Sequence, residues 1–137
     1  MPWQVEVSGQ PAIVTLKFTG VISPRELKQA HDAVGAAFAE NGTLLCLADC
    51  TQMSGGPSVV DLFEKAARIA SDPSARLVKE AILSSDSPEA ARIVDFYQTA
   101  AINRGINVAV FTDREKAVAW LTGKQAHKTG AEHSLAL

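Results

Sequence analysis

Lysine and arginine are too few and too scattered in this chain to form a basic stripe. Thirteen of them against fifteen Asp and Glu leave a formal net charge of −2. A nucleic-acid binder needs a concentrated run of cations to displace counterions from phosphate, so that class is excluded. No apolar run approaches the roughly 18–20 residues a membrane-spanning helix requires. The start, Met1-Pro2-Trp3-Gln4, has neither the basic opening nor the apolar core of a secretory signal. A cytoplasmic protein is expected. Charged residues amount to 20% in all, somewhat below the share of about 25% in soluble domains. That deficit points to a surface covered by a partner or by a second copy.

Cysteine is scarce too. Cys46 and Cys50 lie four apart in one expected strand. At ~3.3 Å per residue their Cα atoms stand about 13 Å apart, well beyond the ~4.4–6.8 Å a disulfide spans. They are expected as free thiols, in keeping with a reducing compartment. Metal-ligand spacing is missing as well: His127 and His133 have no Cys or carboxylate pattern beside them. Neither GxGxxG nor GxxxxGK[ST] occurs, so no cofactor is expected.

What is present is the patterning of one domain. The 137 residues suffice for a single core over 1–122, followed by a polar tail over 123–137. Trp3–Ser8 and Ala12–Phe18 alternate around the turn Gly9-Gln10-Pro11, which predicts an antiparallel hairpin with Val14, Leu16 and Phe18 on the core face. Ile13, Thr15 and Lys17 are expected on the opposite face. Ser23-Pro24-Arg25-Glu26 is a capping box with proline at the first helical position. Its helix carries the stripe Leu27, Ala30, His31, Val34 and Phe38, and stops at Asn41-Gly42.

Thr43–Ala48 is apolar without alternation, the mark of a strand covered on both faces. A small-residue loop is expected over Cys50–Pro57, then a helix over about Ser58–Ser71 with Val59, Leu62, Phe63, Ala66 and Ala70 inward. Val78–Ser84 is the next strand. Ser87-Pro88 opens a helix carrying Ala90, Ile93, Val94, Tyr97 and Ala101. Ile106–Phe111 is the last strand, and Thr112 or Asp113 caps a final helix burying Ala117, Trp120 and Leu121. The order β-β-α-β-α-β-α-β-α predicts an α/β fold. Its mixed five-stranded sheet joins an antiparallel N-terminal hairpin to parallel strands, with about four helices.

Two stretches carry a family resemblance: NRGINVAVFTDREKAVAWL (Asn103–Leu121) and LLCLADCTQMSGG (Leu44–Gly56). With them the chain resembles the SpoIIAA-like branch of the STAS superfamily, the anti-sigma-factor-antagonist-like domains, over about residues 3–122. The resemblance implies a protein-interaction or ligand-sensing module, not an enzyme. Phospho-regulated members carry Asp-Ser-Ser-Gly or similar after the central strand. Here Met53 stands directly before Ser54-Gly55, where those members have an acidic residue.

Ligands of open α/β sheets bind beyond the carboxyl ends of the strands. Those ends collect Asp49, Thr51, Ser54, Ser84, Ser85, Asp86, Thr112 and Asp113. These residues can form a polar site, but they are also ordinary cap and turn formers. Ser54 and Ser58 are the phosphorylation candidates, since phosphate near a helix N-terminus is tolerated by the dipole. Asp49 and Asp113 are the only acid/base candidates, and no catalytic residue is assigned. The expected role is a non-enzymatic module binding a protein partner or itself; the alternative is a pocket for a small apolar or anionic ligand. A homodimer is expected through helix faces rich in Ala30, Ala33, Ala36, Ala37, Ala66, Ala67, Ala100 and Ala101, with His31 near the interface.

Overall fold

In the computed structural model, residues 2–123 are described. The chain forms β1 (Trp3–Ser8), β2 (Ile13–Val21), α1 (Pro24–Asn41), β3 (Leu45–Gly55) and α2 (Val59–Ala70). A 3-10 turn (Pro73–Leu77), β4 (Lys79–Leu83), α3 (Pro88–Ile102), β5 (Asn107–Phe111) and α4 (Arg114–Leu121) follow. The five strands lie side by side in chain order. β1 and β2 pair antiparallel, and every later pair is parallel. Among the described residues no helix is long and apolar enough to cross a membrane. The expected tail lies outside the described residues, apart from Gly123.

The helix starts work as their sequences dictate. Ser23 and Glu26 exchange the two bonds of a capping box, with Pro24 at the first position. Ser58 and Asp61 do the same for α2, and the Ser87 hydroxyl accepts from the Ala90 N–H. Each such cap stabilises its helix by about 1 kcal/mol. At the other end of α1, Gly42 takes the left-handed conformation at φ 58° and its N–H returns to the Phe38 carbonyl.

Helices divide unequally over the sheet. α1, α2 and α3 cover one face, closing a core around Val14, Leu16, Cys46, Ala48, Ile82 and Val108. α4 alone covers the other, where Ala117, Trp120 and Leu121 meet Leu47, Ala81, Leu83, Ala109 and Phe111. β3 is indeed buried on both faces from Cys46 to Cys50.

Several expectations are corrected. β3 does not give way to a loop at Cys50 but continues to Gly55, because β2 also runs on to Val21. The two overhangs pair, Thr19 with Gln52, Gly20 with Met53 and Val21 with Gly55, across two register irregularities. Ile13 is buried in the α4-side core instead of facing outward. Val59 and Phe63 are exposed, because α2 turns Leu62 and Ala66 to the core. His31 is exposed as well. The alanine surplus is mostly spent within the chain: Ala30, Ala37, Ala66, Ala100 and Ala101 are all buried in the larger core. Those five positions offer nothing to a second copy.

Both cysteines are buried free thiols on one strand. Burial, with a smaller push from Glu80, raises the Cys50 thiol to about 12, and Cys46 is also well above its ordinary value. Native protein at pH 8 is therefore expected to react only slowly with a thiol reagent, while guanidinium releases both groups. One fast equivalent in the native state would mean that β3 is open at that residue.

Candidate functional site

The register Asp49–Leu83–Phe111 runs straight across β3, β4 and β5. It sets Asp49 inside β3 level with the last residues of β4 and β5, so Ser84 and Asp113 follow strand ends while Asp49, expected at one, does not, because β3 continues to Gly55. Ser54 and Ser58 lie farther along, at the end of the β3 overhang and at the start of α2.

Their side chains are occupied with holding the fold. Asp49 is 5% exposed; its Oδ2 accepts from Arg114 at 2.7 Å, and its Oδ1 accepts from the Thr51 N–H and hydroxyl. This pair ties α4 to the middle of the sheet. Asp113 caps α4 by accepting from the Glu115 N–H. The Ser58 hydroxyl donates to the Asp61 carboxylate within its capping box. Ser85 donates to the Met53 carbonyl and accepts from the Ser87 N–H, pinning the overhang to the α3 start. Ser84 is half-buried, while Ser54 is exposed.

A different place in the fold is open. α1 packs on β1 and β2, whereas α2 packs on α3, and a cleft of about 740 Å³ lies between them. Its apolar lining includes Leu16, Leu27, Val34, Phe38, Ile69 and Ile106. Cys46 and Glu80, direct neighbours across β3 and β4, contribute from the sheet. Lys65 and Tyr97 add an amine and a phenol, and His31 and Arg68 add two further nitrogen-bearing groups.

The polar groups form a linked set. Tyr97 Oη donates to Glu80 Oε1 at 3.3 Å, and Lys65 Nζ stands 4.7 Å from the centre of the Tyr97 ring. Burial raises the Glu80 carboxyl against the opposing pull of Lys65 and the Tyr97 hydrogen bond. Burial lowers Lys65 against the opposing effect of Glu80. Tyr97 is raised well above its usual range, first by burial and then by Glu80. His31 is lowered by burial and by the charge of Lys65. Desolvation is the first cause in all four cases, only partial for His31, which is otherwise exposed.

The sequence carries a signal for this site. Lys65 falls in step with Leu62, Ala66 and Ile69 on the inward stripe of α2, and Glu80 alternates with buried Ile82 on β4. A charged residue at an apolar position of its own period is the mark to look for.

Five strands in this order, with three helices on one face and one on the other, define a STAS-type α/β domain. A family model described as SpoIIAA-like matches residues 13–122, and the chain belongs to the SpoIIAA-like family. Six chains of solved structures match it. One is the crystal structure of an uncharacterized protein of the DUF3478 family with a SpoIIAA-like fold, from Shewanella loihica PV-4. It is 18% identical, and the match covers 87% of this chain and 91% of that one with a TM-score of 0.55. At that identity the likeness is one of fold. No curated protein matches the chain.

Proposed function

We propose that this chain is a SpoIIAA-like domain that binds a small, partly apolar ligand in the cleft between α1 and α2. The observation that carries this reading is the cleft itself. Its volume of about 740 Å³ falls within the ~300–1,000 Å³ usual for small-molecule sites. Apolar walls supply affinity, while a few convergent polar groups at Lys65, Glu80 and Tyr97 supply orientation. Arg68 and Lys65 favour an anionic end on the ligand. Such binding needs no turnover, and it is compatible with a regulatory role.

Gly35 offers a direct test. It lines the cleft from α1, and a Cβ placed there meets nothing within 4 Å. Anilinonaphthalene sulfonate, an apolar anion that fluoresces when shielded from water, is the probe. The native protein is expected to bind it saturably, and Gly35→Trp is expected to abolish binding while the melting temperature holds. Equal binding by the variant, or none by the native protein, would remove the cleft as the site.

A second reading, docking of a protein partner or a second copy, has its own support. Val59, Val60 and Phe63 stand 57%, 64% and 49% exposed on one short helix, more apolar surface than scattered single residues present. Sedimentation equilibrium at micromolar concentration tests the homodimer. A monomer mass leaves only a different protein as partner. Both phosphorylation candidates are exposed, and the Ser58 hydroxyl is engaged with Asp61 in its capping box.

A further inference from the structure

We propose that Lys65 captures a small carbonyl compound, an aldehyde or unhindered ketone, as a reversible imine in the cleft, with Glu80 supplying the proton to the departing oxygen. The inference rests on the cleft as a ligand site and adds the chemical class that the site holds covalently. Lys65 sits on the inward stripe of α2 and lines the chamber. Its Nζ stands 4.7 Å from the centre of the Tyr97 ring. The Tyr97 phenol in turn fixes Glu80 through its 3.3 Å hydrogen bond. An amine, an oriented carboxyl group and an apolar space for the carbonyl carbon chain thus share one opening. Imine formation needs these three: a nucleophile, a proton donor and room.

The groups that act on Lys65 are Glu80 from β4, Cys46 and Cys50 from β3, and Arg68 one turn along α2. Tyr97 from α3 lies under the ammonium, and His31 faces it from α1. Burial and Arg68 oppose the charged amine; Glu80 favours it. Burial prevails, and Lys65 titrates below the ordinary lysine range while Glu80 titrates above the ordinary carboxylate range. Both displacements raise the fraction of neutral amine and of neutral acid, the forms from which addition begins.

The chemistry balances without an outside reagent. The Nζ lone pair attacks the carbonyl carbon, a C–N bond forms, and the C=O π pair moves to oxygen. That oxygen takes the Glu80 proton, and the nitrogen returns one of its own to the carboxylate, giving a carbinolamine. Glu80 then protonates the hydroxyl, and the C–O bond breaks with loss of water as the nitrogen lone pair closes C=N. The carboxylate recovers the remaining nitrogen proton. One amine and one carbonyl become one imine and one water, with no change of oxidation state.

The test uses the full chain with hexanal and sodium cyanoborohydride at pH 7, which reduces an imine to a stable secondary amine. Peptide mass mapping is expected to place the main adduct on Lys65, favoured by about tenfold or more over Lys17, Lys28, Lys79, Lys116, Lys124 and Lys128. Lys65→Arg is expected to lose this adduct, since a guanidinium forms no stable imine. Glu80→Gln, nearly isosteric, is expected to slow the Lys65 adduct by about tenfold or more with its position unchanged. Labelling spread evenly over the lysines, with dye binding intact, overturns carbonyl capture and leaves the cleft standing. A Glu80→Gln rate equal to that of the native chain overturns the proton-donor role. Failure of the native protein to bind the dye strikes the cleft reading instead.

Discussion

Trp120→Ala is expected to destabilise the protein by about 3–5 kcal/mol, the usual loss when a large buried aromatic is emptied. The reason lies in how α4 is held. At eight residues it is too short to persist on propensity alone, so packing must keep it in place. The indole is 8% exposed and lies 5.7 Å from the Phe111 ring at a tilt of 49°. Lys79 adds to this: its ammonium stands 4.5 Å from the centre of the Trp120 ring and donates to the Trp120 carbonyl. Losing the ring opens a cavity against Phe111 and leaves the Lys79 ammonium without its aromatic partner. Urea titration should show a lower midpoint with an unchanged slope. A loss below about 1 kcal/mol would mean that α4 is anchored elsewhere.

Arg114→Ala is the second large effect, at about 2 kcal/mol. Breaking a fully buried ion pair costs roughly 3–5 kcal/mol because a charge is left uncompensated. The Arg114 side chain is 54% exposed, so solvent screens its half of the interaction and the lower figure applies. Asp49 is the vulnerable partner: its side chain is 7% exposed and cannot recover water when the guanidinium is gone. Its two bonds from Thr51 remain, which keeps the loss from reaching the full value. Asp49→Asn combined with Arg114→Ala should recover part of the stability, because no buried charge then remains. If the double variant is as unstable as the sum of the singles, the two residues act independently.

Local chemistry made most of the fold legible. Ser23-Pro24-Glu26 and Ser87-Pro88 announce helix starts wherever they occur, because the bonds they make lie within three residues. Alternation placed β1 and β2, and the apolar run Leu45–Ala48 marked a strand covered on both faces. The far half of β3 escaped, since Thr51-Gln52-Met53-Ser54-Gly55 has the composition of a loop. Only the pairing with Thr19–Val21, distant in sequence, makes it a strand. Phe63 escaped for a related reason: its outward direction is set by where α3 lies. Of the expected rim residues, Asp49, Thr51 and Ser54 fall inside the longer β3, and Asp49, Ser85 and Asp113 serve as ties and caps. Lys65, Glu80 and Tyr97 belong to α2, β4 and α3, and no spacing within one element reveals their meeting.

Sheet order that follows chain order has a consequence for synthesis. As the chain leaves the ribosome, each new strand can add to the edge of the sheet already formed, and none must be inserted between existing neighbours. Each crossover helix likewise finds its strand waiting. The face built from Leu47, Ala81, Ala109 and Phe111 is the exception. It stays bare until Arg114–Leu121 emerges as the last described element, so the nascent domain is greasy on one side until its final turn of helix closes.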